Sequence, residues 1–448
     1  MHESQSTIVA IATAPGMGGI GVVRLSGPEA AGILATLFVP NAKVESLESH
    51  RLYPGRVIDP DSGDSVDEVM AALMRGPHSY TGEDVAEIQA HGSPLILSRI
   101  VALAMSAGAR QARPGEFTER AYLNGRIDLA QAEAVADLIA ARTDRARRQA
   151  LEVLRGTLSE KIGELGQSLR RALAHVEVEI DFVEEDAGAP GLEAAAAEIE
   201  RVRAALEELM IGYRTGRLLR EGARVALVGA PNAGKSSLFN ALLSEDRAIV
   251  HGEPGTTRDR LEEWCEIEGF PVRLVDTAGL REAGGVEGVG VALSRKAIEE
   301  ADLLLLLVDA SMPLCEESRA LIAARDPRLI VVSNKMDLHG AAPVDGSDAA
   351  ISVATGEGLA ELRALLASRL GREDEGERVL LTRERHRASV GAAADHLTRA
   401  AALLREQQAP ELASIELRAA LEDLAEIAGE TTSDEILGLI FGEFCIGK

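Results

Sequence analysis

Along residues 1 to about 117, the hydrophobic residues fall in short β-rich runs separated by Gly and Pro turns. Thr7–Thr13, Gly21–Leu25, Val66–Met74 and Val85–Ala90 read as strands, with short helices between them. The texture then changes. From Leu151 the apolar positions are Leu154, Leu158, Ile162, Leu165, Leu169, Leu173, Val176 and Ile180. Steps of three and four predict an α-helix about 45 Å long at 1.5 Å per residue. A second helical stretch spans roughly Leu192 to Arg220.

At Arg224 the pattern changes again. Val225–Val228, Val272–Val275, Leu303–Val308, Leu329–Val332 and Ala350–Val353 are nearly continuous apolar runs separated by helix-like segments. A mostly parallel sheet covered on both faces has this signature. The acidic stretch Gly371–Glu377 reads as a linker, and helical patterning returns from about Thr382 to the end. The expected fold is therefore multidomain. An α+β N-terminal domain (1–117) precedes an all-α helical domain built from 118–220 and 380–448. An α/β domain (221–379) is inserted into the helical one.

Composition narrows the classes. A chain of 448 residues is too long for one hydrophobic core, and 46% hydrophobic residues can fill several. The longest unbroken apolar run, Leu303–Val308, is far short of the roughly 20 residues that span a bilayer. Nothing at the start resembles a secretory signal, so no membrane association is expected. Cys265, Cys315 and Cys445 form neither a disulfide framework nor a zinc pattern, which suits a reducing cytoplasm. A net charge of −25 argues against wrapping a long nucleic acid in a basic groove. A nucleic-acid substrate remains compatible if a small basic patch or a partner holds it.

The apolar run Val225–Val228 leads into Gly-x-x-x-x-Gly-Lys-Ser at Gly229–Ser236, followed by a helix-like segment. Strand, glycine turn and helix make the context of a P-loop, whose amides close around phosphate oxygens. Lys235 is placed to reach the β- and γ-phosphates, and the Ser236 hydroxyl to ligate Mg²⁺. Asn232, Ala233, Gly234 and Ser237 complete the phosphate turn. Asp276, Thr277, Ala278 and Gly279 end the next parallel run, putting a carboxylate near Mg²⁺ and an amide near the γ-phosphate. Thr256 and Thr257 lie in a segment expected to order on the nucleotide, with Thr257 as a second Mg²⁺ ligand. Asn334, Lys335 and Asp337 end a later strand. The Asp337 carboxylate can accept two hydrogen bonds from guanine, an edge adenine lacks. Ser352, Val353 and Ala354 sit where a base-contacting turn belongs. In this order the segments predict a GTP-hydrolysing domain. Leu280 stands where Ras-like proteins carry a water-orienting Gln, leaving Glu282 and Glu287 as candidates.

Two patterns mislead. Gly16–Gly21 fits the dinucleotide fingerprint but runs into a strand rather than a helix. Cys445–Lys448 mimics a prenylation box, yet its last residue is Lys and nothing upstream is polybasic.

Several segments together resemble the MnmE/TrmE family of tRNA-modification GTPases. They are Thr7–Ala10, Gly18–Gly21, Arg24–Gly27, Thr81–Asp84, His91–Gly92, Arg113–Phe117, Asp128–Glu133, the inserted domain and Phe444–Lys448. The resemblance implies a homodimer acting with an FAD-containing partner of the MnmG/GidA type on tRNA. The reaction would add an aminomethyl-type group to carbon-5 of the wobble uridine. A reduced folate (formyl- or methylene-tetrahydrofolate) would supply the carbon, with Arg24, Glu87, Arg126 and Lys448 as its contacts. Arg126 stands where Lys is frequent in the family. Glu287 matches the switch glutamate. Cys445 matches a cysteine considered for the chemistry, though a small apolar role is equally compatible. Asn232 matches a K⁺ ligand, to be joined by Thr256 and the backbone carbonyls of His251 and Glu253. A rival class is a regulatory or ribosome-assembly GTPase, but no appended KH-type loop or basic tail is visible.

Overall fold

The computed structural model describes residues 6–181, 190–244, 262–277, 296–371, 380–407 and 409–448. The chain divides into two compact units, Met1–Ala136 with Leu154–Ser159 and Ala425–Lys448, and Asp137–Val153 with Glu160–Leu424. Their architecture is α+β in the first unit, and helical plus α/β in the second.

The first unit contains a seven-stranded sheet of β1 (Ile8–Ile11), β2 (Gly18–Ser26), β3 (Phe38–Pro40), β4 (Arg51–Ile58), β5 (Ser65–Met74), β6 (Val85–Gly92) and β7 (Arg110–Gln111). The strand order is β3-β4-β5-β6-β2-β1-β7. All pairings are antiparallel except β1 with β7. Side chains alternate between faces. Val23, Leu25, Leu73 and Ile88 join Ile33, Leu34, Leu97 and Ile100 of the helices Ala30–Leu37 and Pro94–Ser106 in one core. Their neighbours Arg24 and Glu87 lie on the opposite face, directly across from each other in the β2–β6 register. A second cluster joins Leu129 and Ala132 to Leu437, Ile440, Phe441 and Phe444.

The second unit contains a six-stranded sheet of β8 (Ala223–Val228), β9 (Glu262–Ile267), β10 (Phe270–Asp276), β11 (Leu303–Asp309), β12 (Leu329–Asn334) and β13 (Ala349–Ala350). The order is β13-β12-β11-β8-β10-β9, parallel throughout except for the β9 edge. The continuous apolar runs have a direct cause. Val225, Leu227, Leu305, Leu307 and Val332 enter one core with Leu238, Leu242, Leu362 and Leu366, while Ala226, Val228, Leu304, Leu306 and Val331 enter a second core on the other face. With both faces buried, the stretches Val225–Val228 and Leu303–Val308 contain no polar residue.

Several elements differ from the pattern-based expectation. The run beginning at Leu151 divides into helices Asp144–Leu154 and Thr157–Asp181. Gly156 at φ 96 supplies a left-handed break that only glycine adopts without strain. The second stretch likewise divides into Pro190–Ile211 and Tyr213–Glu221. A side chain at Gly212 would meet Leu380 Cδ2 at 2.7 Å, so the small residue allows a close approach at the break. Strands β4 and β9 escape the reading because Pro54 and Gly55 interrupt one and glutamates dominate the other. The linker stretch lies, apart from Gly371, outside the described residues. Helices Glu384–Ala402, Pro410–Ala428 and Asp434–Gly442 follow it.

Candidate functional site

The parallel sheet changes direction of travel at β8, with β10 on one side and β11 on the other. In such sheets, ligands sit beyond the C-terminal strand ends at this switch. The glycine turn leaves β8 there and opens the helix Lys235–Ser244. Gly229 (φ 140) and Gly234 (φ 100) both need the freedom of glycine. A Cβ on them would lie 2.3 Å from Leu307 O and 2.3 Å from Asn334 Nδ2 respectively. Asn232, exposed at the turn, is left-handed at φ 63, a conformation Asn tolerates better than most residues.

Lys235 is buried, and its ammonium donates to the carbonyls of Gly229 (2.9 Å) and Ala230 (2.8 Å). Its charge is thus held over the turn by weak acceptors that phosphate oxygens can replace. The Ser236 hydroxyl donates to Asp276 Oδ2 at 3.1 Å, which pairs two hard oxygen donors suited to Mg²⁺. Thr277 is buried and its hydroxyl donates to Leu227 O at 2.7 Å, tying β10 to β8.

The base-side residues converge on the same edge. Asn334 Nδ2 donates to Ala233 O at 2.8 Å, and its Oδ1 accepts from Val353 N at 3.2 Å. This side chain bolts the phosphate turn to the turn containing Ser352, Val353 and Ala354. Buried Ser352 donates to Asp337 Oδ1 at 2.6 Å, orienting an otherwise exposed carboxylate. Lys335, left-handed at φ 66, pairs with Asp309 Oδ2 at 2.6 Å. Burial acts to raise the Asp309 pKa, but hydrogen bonds from Lys335 and Ser311 outweigh it and hold it low. Asp309 was missed in the sequence. Its signal was available, since it is the acidic residue that ends the longest apolar strand. Thr256, Thr257, His251, Glu253, Ala278, Gly279, Glu282 and Glu287 lie outside the described residues.

The first unit assembles a different site. Arg24 Nε donates to Glu87 Oε1 at 2.8 Å, and both side chains are about four-fifths buried. The Arg24 guanidinium also lies 5.5 Å from the Tyr80 ring and 5.8 Å from that of Phe117. Tyr80 bonds Thr118 Oγ1 at 2.8 Å. Burial raises its pKa despite that bond and the Arg24 charge, so the phenol stays neutral. Phe117 N donates to Lys448 O at 3.2 Å, which brings the final residue to the base of this shelf. Gly115 N donates to Cys445 O at 3.4 Å, and the Cys445 side chain is exposed. Arg126 Nε donates to Ser79 O at 3.1 Å, one residue from Tyr80. Tyr80 and Phe117 were also missed. No local pattern marks an aromatic residue as the neighbour of an arginine so distant in the chain.

Beneath the shelf lies an ion-pair network. Buried Arg120 bonds Glu83 Oε2 (2.9 Å), Glu116 Oε1 (3.2 Å) and Ser6 O (2.8 Å). Burial acts to raise the Glu116 pKa. Hydrogen bonds from Arg110 and the Arg113 amide, with the charges of Arg110 and Arg120, overcome it and lower the value to about 2.

The N-terminal domain description "GTP-binding protein TrmE N-terminus" matches residues 7–126, and "MnmE helical domain" matches 129–445. The chain belongs to the MnmE family. The proteins named tRNA modification GTPase MnmE from Moorella thermoacetica and Geobacter sulfurreducens are 46% and 45% identical to it, over 99% of this chain and 99% of each relative. The MnmE of Symbiobacterium thermophilum is 46% identical over 99% of this chain and all of its own length. Among solved structures, the G domain of the T. maritima FeoB iron transporter aligns with 33% of this chain and 98% of its own, at 27% identity and a TM-score of 0.26. No described helix is long and apolar enough to cross a membrane.

Proposed function

We propose that this MnmE-family chain hydrolyses GTP as part of tRNA modification. The observation that carries the reading is the meeting of Lys235, the Ser236–Asp276 pair and the Ser352–Asp337 pair at one edge of the parallel sheet. Lys235 balances charge on the β- and γ-phosphates. The turn's amides bind phosphate oxygens. Asp337 reads the guanine edge, with Ser352 fixing its rotamer. Mg²⁺, when bound, would supply further positive charge at the phosphates; Ser236 and Thr257 would hold it, with the Asp276 carboxylate close by. K⁺ would add charge between the β- and γ-phosphates, held by Asn232, Thr256 and the carbonyls of His251 and Glu253. Glu287 orients the attacking water.

The finer chemistry extends from the first unit. Arg24, Glu87, Arg126 and Lys448 bind a reduced folate, which would supply a one-carbon unit for carbon-5 of the wobble uridine. The donor set suits such a ligand, because cations meet its glutamate tail and a carboxylate meets its pterin edge. The exposed thiol of Cys445 supports a part for it in the chemistry. The reaction runs in the cytoplasm, in a homodimer with an MnmG/GidA-type flavoprotein. The working domains are 1–117, 118–220 with 380–448, and the inserted 221–379.

The test is nucleotide turnover by the full chain. GTP should be hydrolysed and ATP should not, faster in K⁺ than in Na⁺ at equal ionic strength. Glu287→Ala should lower turnover with little change in GTP affinity. Equal turnover of ATP and GTP would overturn the reading. If Glu282→Ala has the effect instead, the water-orienting role belongs to Glu282.

A further inference from the structure

The inserted α/β domain is entered through Gly222 and left through Gly371, and both crossings are packed against aromatic rings of one hairpin. Strands β9 and β10 pair antiparallel and turn at Glu268 (φ 47) and Gly269 (φ 82), the left-handed pair of a tight hairpin turn. A Cβ at Gly222 would lie 2.3 Å from Trp264 Cζ3, and one at Gly371 would lie 2.9 Å from Phe270 Cζ. Each ring also lies against an arginine at or just before the start of helix Asp144–Leu154. Arg142 lies 4.3 Å from the Trp264 ring and Arg145 lies 4.5 Å from the Phe270 ring. Thr143 fixes that helix start, because its Oγ1 accepts from Ala146 N at 3.2 Å. The crossings themselves share an anchor, since Arg220 and Arg383 both pair with Asp137, at 3.1 Å and 2.7 Å.

The other end of the hairpin is the nucleotide site. β10 ends on Asp276, the partner of Ser236, and β9 starts at Glu262, soon after Thr256 and Thr257 in sequence. From Phe270 to Asp276 a strand covers about 20 Å. Paired strands transmit displacement along their length, because sliding one breaks the ladder with the other. On the side of the helix, the hairpin makes two cation–ring contacts, one at Trp264 midway along β9 and one at Phe270 beside the turn. The Glu266 carbonyl near the turn also accepts from Arg363 Nη2 at 2.9 Å.

We propose that the β9–β10 hairpin is the lever coupling the nucleotide site to the helical segments, with Arg142 and Arg145 as positioning residues that grip it midway and beside its turn. The proposal rests on the GTPase reading above. Coupling is reciprocal, so a change of nucleotide must alter the helix that the clamp grips.

The experiment measures backbone amide exchange of the full-length protein with GDP or a non-hydrolysable GTP analogue, alongside the affinity for each. In the parent, exchange across 144–154 should differ between the two nucleotides. Emission of Trp264, the chain's one tryptophan, should differ as well. In Arg142→Ala/Arg145→Ala both affinities should stay within about twofold while the exchange difference disappears. Arg142→Lys/Arg145→Lys, which keeps the cations, should restore it. If the double alanine variant fails to fold, the single Arg142→Ala variant should show a reduced difference. A parent that binds both nucleotides without any exchange difference would overturn the lever, as would a difference that survives in the alanine variants. A parent that binds neither nucleotide would instead overturn the GTPase reading.

Discussion

At the C-terminal edge of the parallel sheet, the groups that would meet a nucleotide are carried by short turns, each contiguous in sequence and each leaving one buried strand. In the N-terminal sheet, Arg24 and Glu87 come from two different strands, Phe117 from a following helix, and Lys448 from the other end of the sequence. The phosphate turn of the first site is shaped by backbone and glycine, the Arg24–Glu87 site by a pair of side chains. A backbone-shaped site keeps its form when one side chain is lost, so function should fail without the fold. A site built from pairs leaves a partner unsatisfied when one member goes, and burial of that partner then carries a cost.

The largest effect should follow Lys235→Ala. Gly229 and Gly234 still shape the turn, but the charge at the phosphates is gone, and GTP turnover should fall by about 10²-fold or more. Thermal melting within a few degrees of the parent would support the backbone-shaped view, and a collapse of the fold would break it.

Next in size is Asp337→Asn. Guanine would face an amide where it needs a carboxylate, and GTP affinity should drop roughly a hundredfold. Xanthosine nucleotides, which present an acceptor in place of the amine, should gain. Unchanged GTP binding would show that Asp337 does not read the base.

Glu87→Ala tests the paired site. It frees Arg24 from its partner, and calorimetry with a reduced folate should show affinity lowered by about tenfold. Equal affinity in parent and variant would exclude Glu87 as a folate contact.

The smallest effect concerns pH. The Glu116 pKa is lowered from an ordinary 4.5 to about 2 in the folded protein. A depressed carboxylate stabilises the fold above its unfolded value, so this contribution is complete above about pH 4.5 and is lost as pH falls toward 2. Melting temperatures of the parent should therefore drop more steeply across that window than those of Glu116→Gln. Parallel curves would mean the network does not depend on this ionisation.

How much of this was legible in the sequence follows from the same contrast. Val225–Val228 and Leu303–Val308 announce a sheet buried on both faces, and the turns after such strands hold recognisable chemistry in a few adjacent residues. The phosphate turn and Asp337 could be assigned roles from residue type and spacing alone. Arg24 and Glu87 could not, because the cross-strand register that pairs them is a tertiary property, and only the family resemblance singled them out. The same limit hid Trp264 and Phe270. Each looks like a core residue until the crossings at Gly222 and Gly371 are seen against it. The breaks at Gly156 and Gly212 were invisible for another reason, since the apolar period continues through both.

We propose that both sites serve one reaction on tRNA. Mass spectrometry of nucleosides from total tRNA of a strain lacking this chain tests it most directly. Uridines carrying an aminomethyl-type group at carbon-5 should be lost, and restored by the parent gene but by neither Lys235→Ala nor Glu87→Ala. A nucleoside profile unchanged by the deletion would contradict it.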